Sequence, residues 1–252
     1  MKPYPISLQL YSLREEAKDG FPAVLKQVAD MGYVGVEFAG LHDFAPADLR
    51  RILDDLGLVA SSTHGPMPTE ENLSEVLETA NALGYTRHVS GFGPAQFATK
   101  ETILESAAIA QKAAELLEGS GISFGIHNHY WEFDHDLDGK YPHEVFMDAA
   151  PGAFAQLDTY WIQVGGADPA AIVKQYGARA PLLHIKDGPG NKEQAMTAVG
   201  GGIVDWAAVI GAAADTTEWL IVELDRCDTD MTEAVAESYR YLISNGLARG
   251  NK

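Results

Sequence analysis

Asp158, His184 and Glu223 each stand where a short apolar run gives way to polar residues, in FAQLDT, PLLHIKD and WLIVELD. Carboxylates and imidazoles carried at the ends of buried segments need a partner that offsets their desolvation, and a divalent cation supplies one. The same kind of position recurs along the chain. Gln9, Glu37 and His64 end earlier runs, His127, Asn128 and His129 end another with Glu132 just beyond, Lys186 and Asp187 follow His184, and Asp225 and Arg226 follow Glu223. Taken singly, a strand histidine is a hydrogen-bonded core residue and a terminal glutamate a cap or surface charge. Lys186 and Arg226 could also neutralise the same carboxylates without a metal. Three such groups converging favour the metal. Cys227 is the only cysteine, so the available ligands are oxygen and imidazole, a set that suits Mn²⁺, Mg²⁺, Co²⁺ or Fe²⁺ better than structural zinc. Glu132 is the expected fourth ligand, as a hard anionic oxygen able to fold back from its loop, with His127 as the alternative.

One divalent ion so held is a Lewis acid toward a carbonyl and its neighbouring hydroxyl, and it stabilises the enediolate left when the adjacent proton is removed. His129 or His127 is the candidate base, since imidazole titrates near neutral pH, and Lys186 can stabilise the developing oxyanion. Returning the proton to another carbon is isomerisation, to the opposite face epimerisation, and loss of a β-hydroxyl is dehydration. Tyr11, Tyr130, Trp131, Tyr160 and Trp161 stand beside these residues, where they would either stack on a bound ligand or pack between loops. The run Gly200, Gly201 and Gly202 before Asp205 and Trp206 reads as a tight turn into a helix, in preference to a phosphate cradle, because it carries no Lys or Arg.

The elements that must position these groups alternate regularly. Strand candidates lie near 6–11, 34–39, 58–64, 86–91, 123–129, 154–159, 181–187 and 219–225, each short and rich in Val, Ile, Leu, Phe or Tyr. Helical patterns such as FPAVLKQVADMG, ADLRRILDDLG, NLSEVLETANALG and TEAVAESYRYLISNG separate them, several stopping at a glycine suited to a C-cap. Eight strand–helix units imply parallel pairing and a closed (β/α)8 TIM barrel in one domain spanning 1–252. An open doubly wound sheet is the competitor. Its nucleotide-binding form is excluded, because residues 9 to 14 read Gln-Leu-Tyr-Ser-Leu-Arg where a Gly-x-Gly-x-x-Gly turn would stand. A barrel carries its site at the C-terminal strand ends, where the polar residues fall.

The 252 residues suffice for one large core, and the 46% hydrophobic and 21% charged fractions are those of an ordinary globular chain. No apolar run reaches bilayer length, and the first residues lack the pattern of an export signal, so a cytoplasmic location is expected and no membrane partner. A net charge of −18 opposes binding to a phosphate backbone, so no nucleic-acid partner is expected. A homo-oligomer is left open.

The segments ISLQLYSLRE, GYVGVEFAG, GIHNHYWEF, LDTYWIQVGGADP, LLHIKDGP, VGGGIVDWAAVI and WLIVELDRC, in this order, give a chain that resembles the sugar phosphate isomerase/epimerase group with the xylose isomerase-like barrel. The resemblance implies a sugar or keto-sugar substrate, with Asp158, His184 and Glu223 binding the metal and a fourth ligand from the fifth-strand region. His127 stands where some members of that group have a glutamate inside the strand. HNHYWEF is closer to the branch of keto-sugar dehydratases and epimerases with histidine-assisted chemistry. The resemblance further implies that His64 and Lys186, with Glu37 and Arg226, face the substrate. The expected function is a metal-dependent sugar isomerase or epimerase, with an inosose-type dehydratase as the alternative. Two other classes compete: a barrel-type DNA-repair endonuclease, opposed by the −18 charge, and a non-catalytic carbohydrate-binding subunit, which would leave the base and metal groups without a role.

Overall fold

A computed structural model describes residues 3–251. Eight of the strands pair in parallel: β1 (Tyr4–Gln9), β2 (Gly35–Ala39), β3 (Val59–His64), β4 (Arg87–Gly91), β5 (Ser123–His127), β6 (Phe154–Asp158), β7 (Leu182–Ile185) and β8 (Trp219–Val222). Because β1 pairs with both β2 and β8, the sheet closes on itself. The register aligns Gln9 with Glu37 and Asp158 with His184, bringing their side chains to one level. A two-residue strand, β9 (Ala248–Arg249), adds to β1 outside the barrel.

Helices α1 (Arg14–Met31), α2 (Pro46–Leu56), α3 (Leu73–Leu83), α4 (Lys100–Leu116), α5 (Pro142–Ala149), α6 (Thr159–Val164), α7 (Pro169–Tyr176), α8 (Trp206–Ala212) and α9 (Met231–Ser244) lie between and after the strands. The result is the expected (β/α)8 TIM barrel. Gly57 and Gly84 cap α2 and α3 in the left-handed conformation that an apolar-periodic run ending in glycine predicts. Two details depart from the sequence expectation. Several strands stop two or three residues before the expected end, since the polar residues there leave the ladder and turn into the site. Between β6 and β7 the chain makes two short helices, α6 and α7, where a single crossover helix is usual.

Strand residues alternate between two environments. Ile6, Leu8, Val36, Phe38, Ile126, Leu157, Leu183 and Val222 join helix residues such as Leu25, Leu53 and Leu242 in the main core. The opposite set begins with an inner plug of Val89, Phe154, Leu182 and Ile221, with Trp219 against it. The Phe154 ring fills the place a side chain at 125 would take, for a Cβ on Gly125 would come within 2.2 Å of it. Continuing by steps of two along the same face, Phe154 leads to Gln156 and Asp158, Leu182 to His184 and Lys186, and Ile221 to Glu223 and Asp225.

Candidate active site and metal centre

The floor of the site is Glu37, fully buried. Its carboxylate accepts hydrogen bonds from Gln9 Nε2 at 2.6 Å, Ser62 Oγ at 2.5 Å and Gln156 Nε2 at 2.6 Å, and His184 Nε2 lies 2.6 Å away. Burial alone would raise its pKa, but the neighbouring His64 and His184 and these donors outweigh it and hold the group down to about 2. A carboxylate so occupied has little capacity left for substrate, and it is absent from the cavity wall.

Glu37 also sets the tautomers above it. Because Gln156 donates its amide nitrogen to Glu37, its oxygen faces two imidazoles, His127 Nδ1 at 3.0 Å and His64 Nε2 at 2.5 Å. Both rings must donate to that oxygen, which leaves the Nε2 lone pair of His127 directed to the other side, 3.6 Å from Asp158 Oδ2. His184 is held between two carboxylates, Nε2 on Glu37 and Nδ1 2.9 Å from Glu223 Oε2. Burial would lower its pKa, but Glu37 and Glu223 raise it to about 10. Burial raises Asp158 to about 6 against the pull of Lys186 and His184. The Lys186 ammonium, itself buried, lies 2.7 Å from Glu223, 3.0 Å from Asp158 and 3.0 Å from Asp225.

His127, Asp158, His184 and Glu223 offer ligand atoms that all lie within 4.8 Å of one another, and all four are buried. Asp158 Oδ2 is buried without a hydrogen bond. These donors fit a divalent cation: one lone pair fixed by Gln156, one buried carboxylate oxygen whose partner is the Lys186 ammonium at 3.0 Å, and a histidine already anchored through its other nitrogen. Glu132 lies outside this group. A 3-10 turn over Tyr130–Glu132 bends its carboxylate back so that Oε2 accepts the His129 backbone N–H at 2.9 Å, while Oε1 is buried and unpartnered. Burial pushes this carboxyl well above the ordinary range.

A cavity of about 760 Å³ opens over the centre, walled by His64, His127, His129, Lys186, Glu223 and Arg226 together with the rings of Tyr11, Tyr130, Tyr160 and Trp161. Trp131 is instead stacked behind His129, with ring centroids 4.2 Å apart. Burial, with Lys186 nearby, lowers His129 to about 3, and its Nδ1 makes no hydrogen bond. Arg226 is exposed at the mouth, where its guanidinium donates to the Gln194 carbonyl at 3.1 Å and to that of Lys192. Asn128 ties the ends of β5 and β6 through Asp158, accepting from its N–H at 2.9 Å. Asp187 faces away from the cavity and clamps the loop after β7, accepting from the N–H groups of Gly188, Gly200 and Val204 and from the Trp206 indole. Gly202 belongs to that clamp, since a Cβ there would sit 2.0 Å from Asp187 Oδ1, so the glycine run is a close-packed turn.

Sequence reading missed Gln156 and Lys192. Gln156 had a signal: it is polar, two residues before Asp158, and so on the same strand face.

The sequence pattern of the xylose isomerase-like TIM barrel family matches residues 25–245. No curated protein sequence matches the chain. Among solved structures, a sugar phosphate isomerase/epimerase from Parabacteroides distasonis ATCC 8503 is similar with 26% identity and a TM-score of 0.80, over 99% of this chain and 96% of that one. A D-allulose 3-epimerase from Methylomonas sp., in complex with D-allulose, has 18% identity and a TM-score of 0.70, over 97% and 98%. The IOLI protein with a zinc atom has 16% identity and a TM-score of 0.72, over 95% and 97%. With most of its length matched and its eight strands closed in order, this chain belongs to the xylose isomerase-like TIM barrel family.

Proposed function

We propose that the chain is a divalent-metal-dependent sugar isomerase or epimerase that removes a proton next to a carbonyl. The observation that carries this is the buried group of His127, Asp158, His184 and Glu223 beneath a cavity walled by a further imidazole and an ammonium. His127, in place of Glu132, would be the fourth ligand. When bound, the cation would supply Lewis acidity toward the substrate carbonyl and its neighbouring hydroxyl. Two imidazoles with two carboxylates move the preference from Mg²⁺ toward Mn²⁺, Fe²⁺, Co²⁺ or Zn²⁺, and the zinc atom in the structurally similar IOLI protein is in keeping with that range.

His129 is the proton acceptor: neutral through burial and on the cavity wall. Lys186 stabilises the oxyanion. The two are coupled, because the Lys186 charge is one cause of the low His129 pKa. As negative charge develops beside Lys186, its field at His129 is cancelled, and the imidazole gains basicity as the proton moves. The sugar-binding D-allulose 3-epimerase supports a sugar as substrate. A second reading, dehydration of a keto sugar, is favoured by one feature: the fifth strand ends in His127 and lacks a carboxylate, so the site has no symmetrical pair of glutamate bases.

The test is metal analysis with solvent deuterium exchange into a panel of keto sugars, for the wild type and His184→Ala. About one metal per chain and exchange lost in the variant are expected. Full exchange by protein shown to be metal-free would overturn the proposal.

A further inference from the structure

The Lys186 ammonium has three carboxylate partners, and they are not alike. Asp158 Oδ2 at 3.0 Å and Glu223 Oε2 at 2.7 Å belong to buried side chains that offer ligand atoms to a cation. The third partner, Asp225, receives Lys186 on both oxygens, at 3.1 and 3.0 Å, and belongs to neither group of candidate ligands. It lines the cavity together with Trp161, whose ring centre is 5.9 Å from Nζ. A cation on Asp158 and Glu223 would share those carboxylates with a positive charge already within 3.0 Å of them, and in a buried site two such charges repel strongly. To stay charged in the wall beside a cation, the ammonium needs a carboxylate of its own. Asp225 is fixed for that purpose from both flanking strand ends. Its N–H donates to Met196 Sδ at 3.4 Å, on the loop after β7, and its carbonyl accepts from Arg14 Nη2 at 2.8 Å. Arg14 also donates to the Tyr11 carbonyl at 2.8 Å, and Ser12 Oγ accepts the N–H of Leu224 at 3.0 Å, so the chain after β1 clasps the end of β8.

We propose that Asp225 is a positioning residue: it holds the Lys186 ammonium on the cavity wall and frees Asp158 and Glu223 of it when a divalent cation takes them. This rests on the metal reading above and deepens it. Without the Asp225 charge, the ammonium keeps Asp158 and Glu223 as its only carboxylate partners and competes with the cation for them. With it, the ammonium stays charged at the cavity, where an oxyanion can meet it.

Calorimetric titration with Mn²⁺ of the wild type, D225N and the double variant K186M/D225N tests it. D225N keeps the shape and an acceptor oxygen but not the charge, and is expected to bind Mn²⁺ about 10- to 100-fold more weakly than the wild type. Removing the ammonium as well, in K186M/D225N, is expected to restore the wild-type affinity or better, a recovery that a merely structural role of Asp225 would not give. Equal affinity in D225N and the wild type would overturn the proposal. A loss that persists in the double variant would do so too, because it would make Asp225 a ligand or a support of the fold. Should D225N not fold, R14Q and R14Q/K186M repeat the comparison with the Asp225 charge in place: a smaller loss, again relieved by K186M, is expected, and unchanged affinity in R14Q would overturn the proposal. A wild type that binds no Mn²⁺ would remove the metal reading and this proposal together. A wild type that binds about one Mn²⁺ per chain, beside a D225N variant that binds it equally well, would remove this proposal alone.

Discussion

The plug and the polar tier of this barrel are built by the same strands and differ by one step of two residues. Leu182, Phe154 and Ile221 fill the lower end with apolar volume, and His184, Gln156 and Glu223 follow them on the same face. Both tiers are almost fully withdrawn from solvent. In the plug this burial is favourable, roughly 1.5–3 kcal/mol for each large side chain. In the polar tier it is unfavourable, and only mutual hydrogen bonding makes it tolerable. The lower tier therefore carries stability, and the upper carries charge in an environment where charge is chemically potent.

The sharpest way to break this comparison is to exchange the properties. His184→Ala removes the ring whose two nitrogens bridge Glu37 and Glu223 and is expected to lower metal affinity by more than about 100-fold, the upper range for merely supporting groups, with deuterium exchange falling to background. Metal content by mass spectrometry checks it, and a normally loaded variant would show that the centre lies elsewhere. Phe154→Ala, one tier lower, is expected to cost about 3–5 kcal/mol in urea unfolding through the cavity it leaves, with metal content unchanged. Loss of metal in that variant without loss of stability would erase the distinction between the tiers.

The barrel was legible in the sequence because parallel strands buried on both faces read as short apolar runs, and their order needs no side-chain detail. The polar strand ends were legible for the same reason, as the points where each run stops. The position of Glu132 was not. HNHYWE allows its carboxylate to fold over the mouth or back onto its own turn, and only the tight turn over Tyr130–Glu132 decides, by bringing the His129 N–H to 2.9 Å from Oε2. Glu37 was singled out for substrate, but the four donors that occupy it come from strands far apart in sequence, β1, β3, β6 and β7, and no local pattern shows such a convergence.

Gln156 joins the tiers, and its replacement gives a smaller effect. Gln156→Leu keeps the volume, leaves Glu37 short of one donor and frees His127 to take either tautomer. Metal affinity is expected to fall about 10- to 100-fold, with deuterium exchange restored at high metal concentration. Exchange that stays lost at saturating metal would mean that Gln156 acts on the substrate directly.

The smallest effect is expected at Glu132, and it separates the two candidates for the fourth ligand. Burial raises the Glu132 pKa well above 4.5, so in the folded chain the carboxyl favours its neutral form. Below the unfolded pKa both states hold the proton, and the contribution of this group to stability is complete. As pH rises, the unfolded chain releases the proton while the folded chain retains it, so that contribution declines until the raised folded pKa is passed. Glutamine mimics the neutral form and keeps an oxygen for the His129 N–H. Glu132→Gln is therefore expected to exceed the wild type in stability only slightly at pH 5, just above the unfolded pKa, and by more at pH 8, the gap growing by at most about 1.4 kcal/mol per pH unit, as read from urea midpoints at the two pH values. Metal content should stay near one per chain at both. A gap independent of pH would mean that the carboxylate is ionised in the folded protein. Loss of metal would make Glu132 the ligand and return His127 to the role of base.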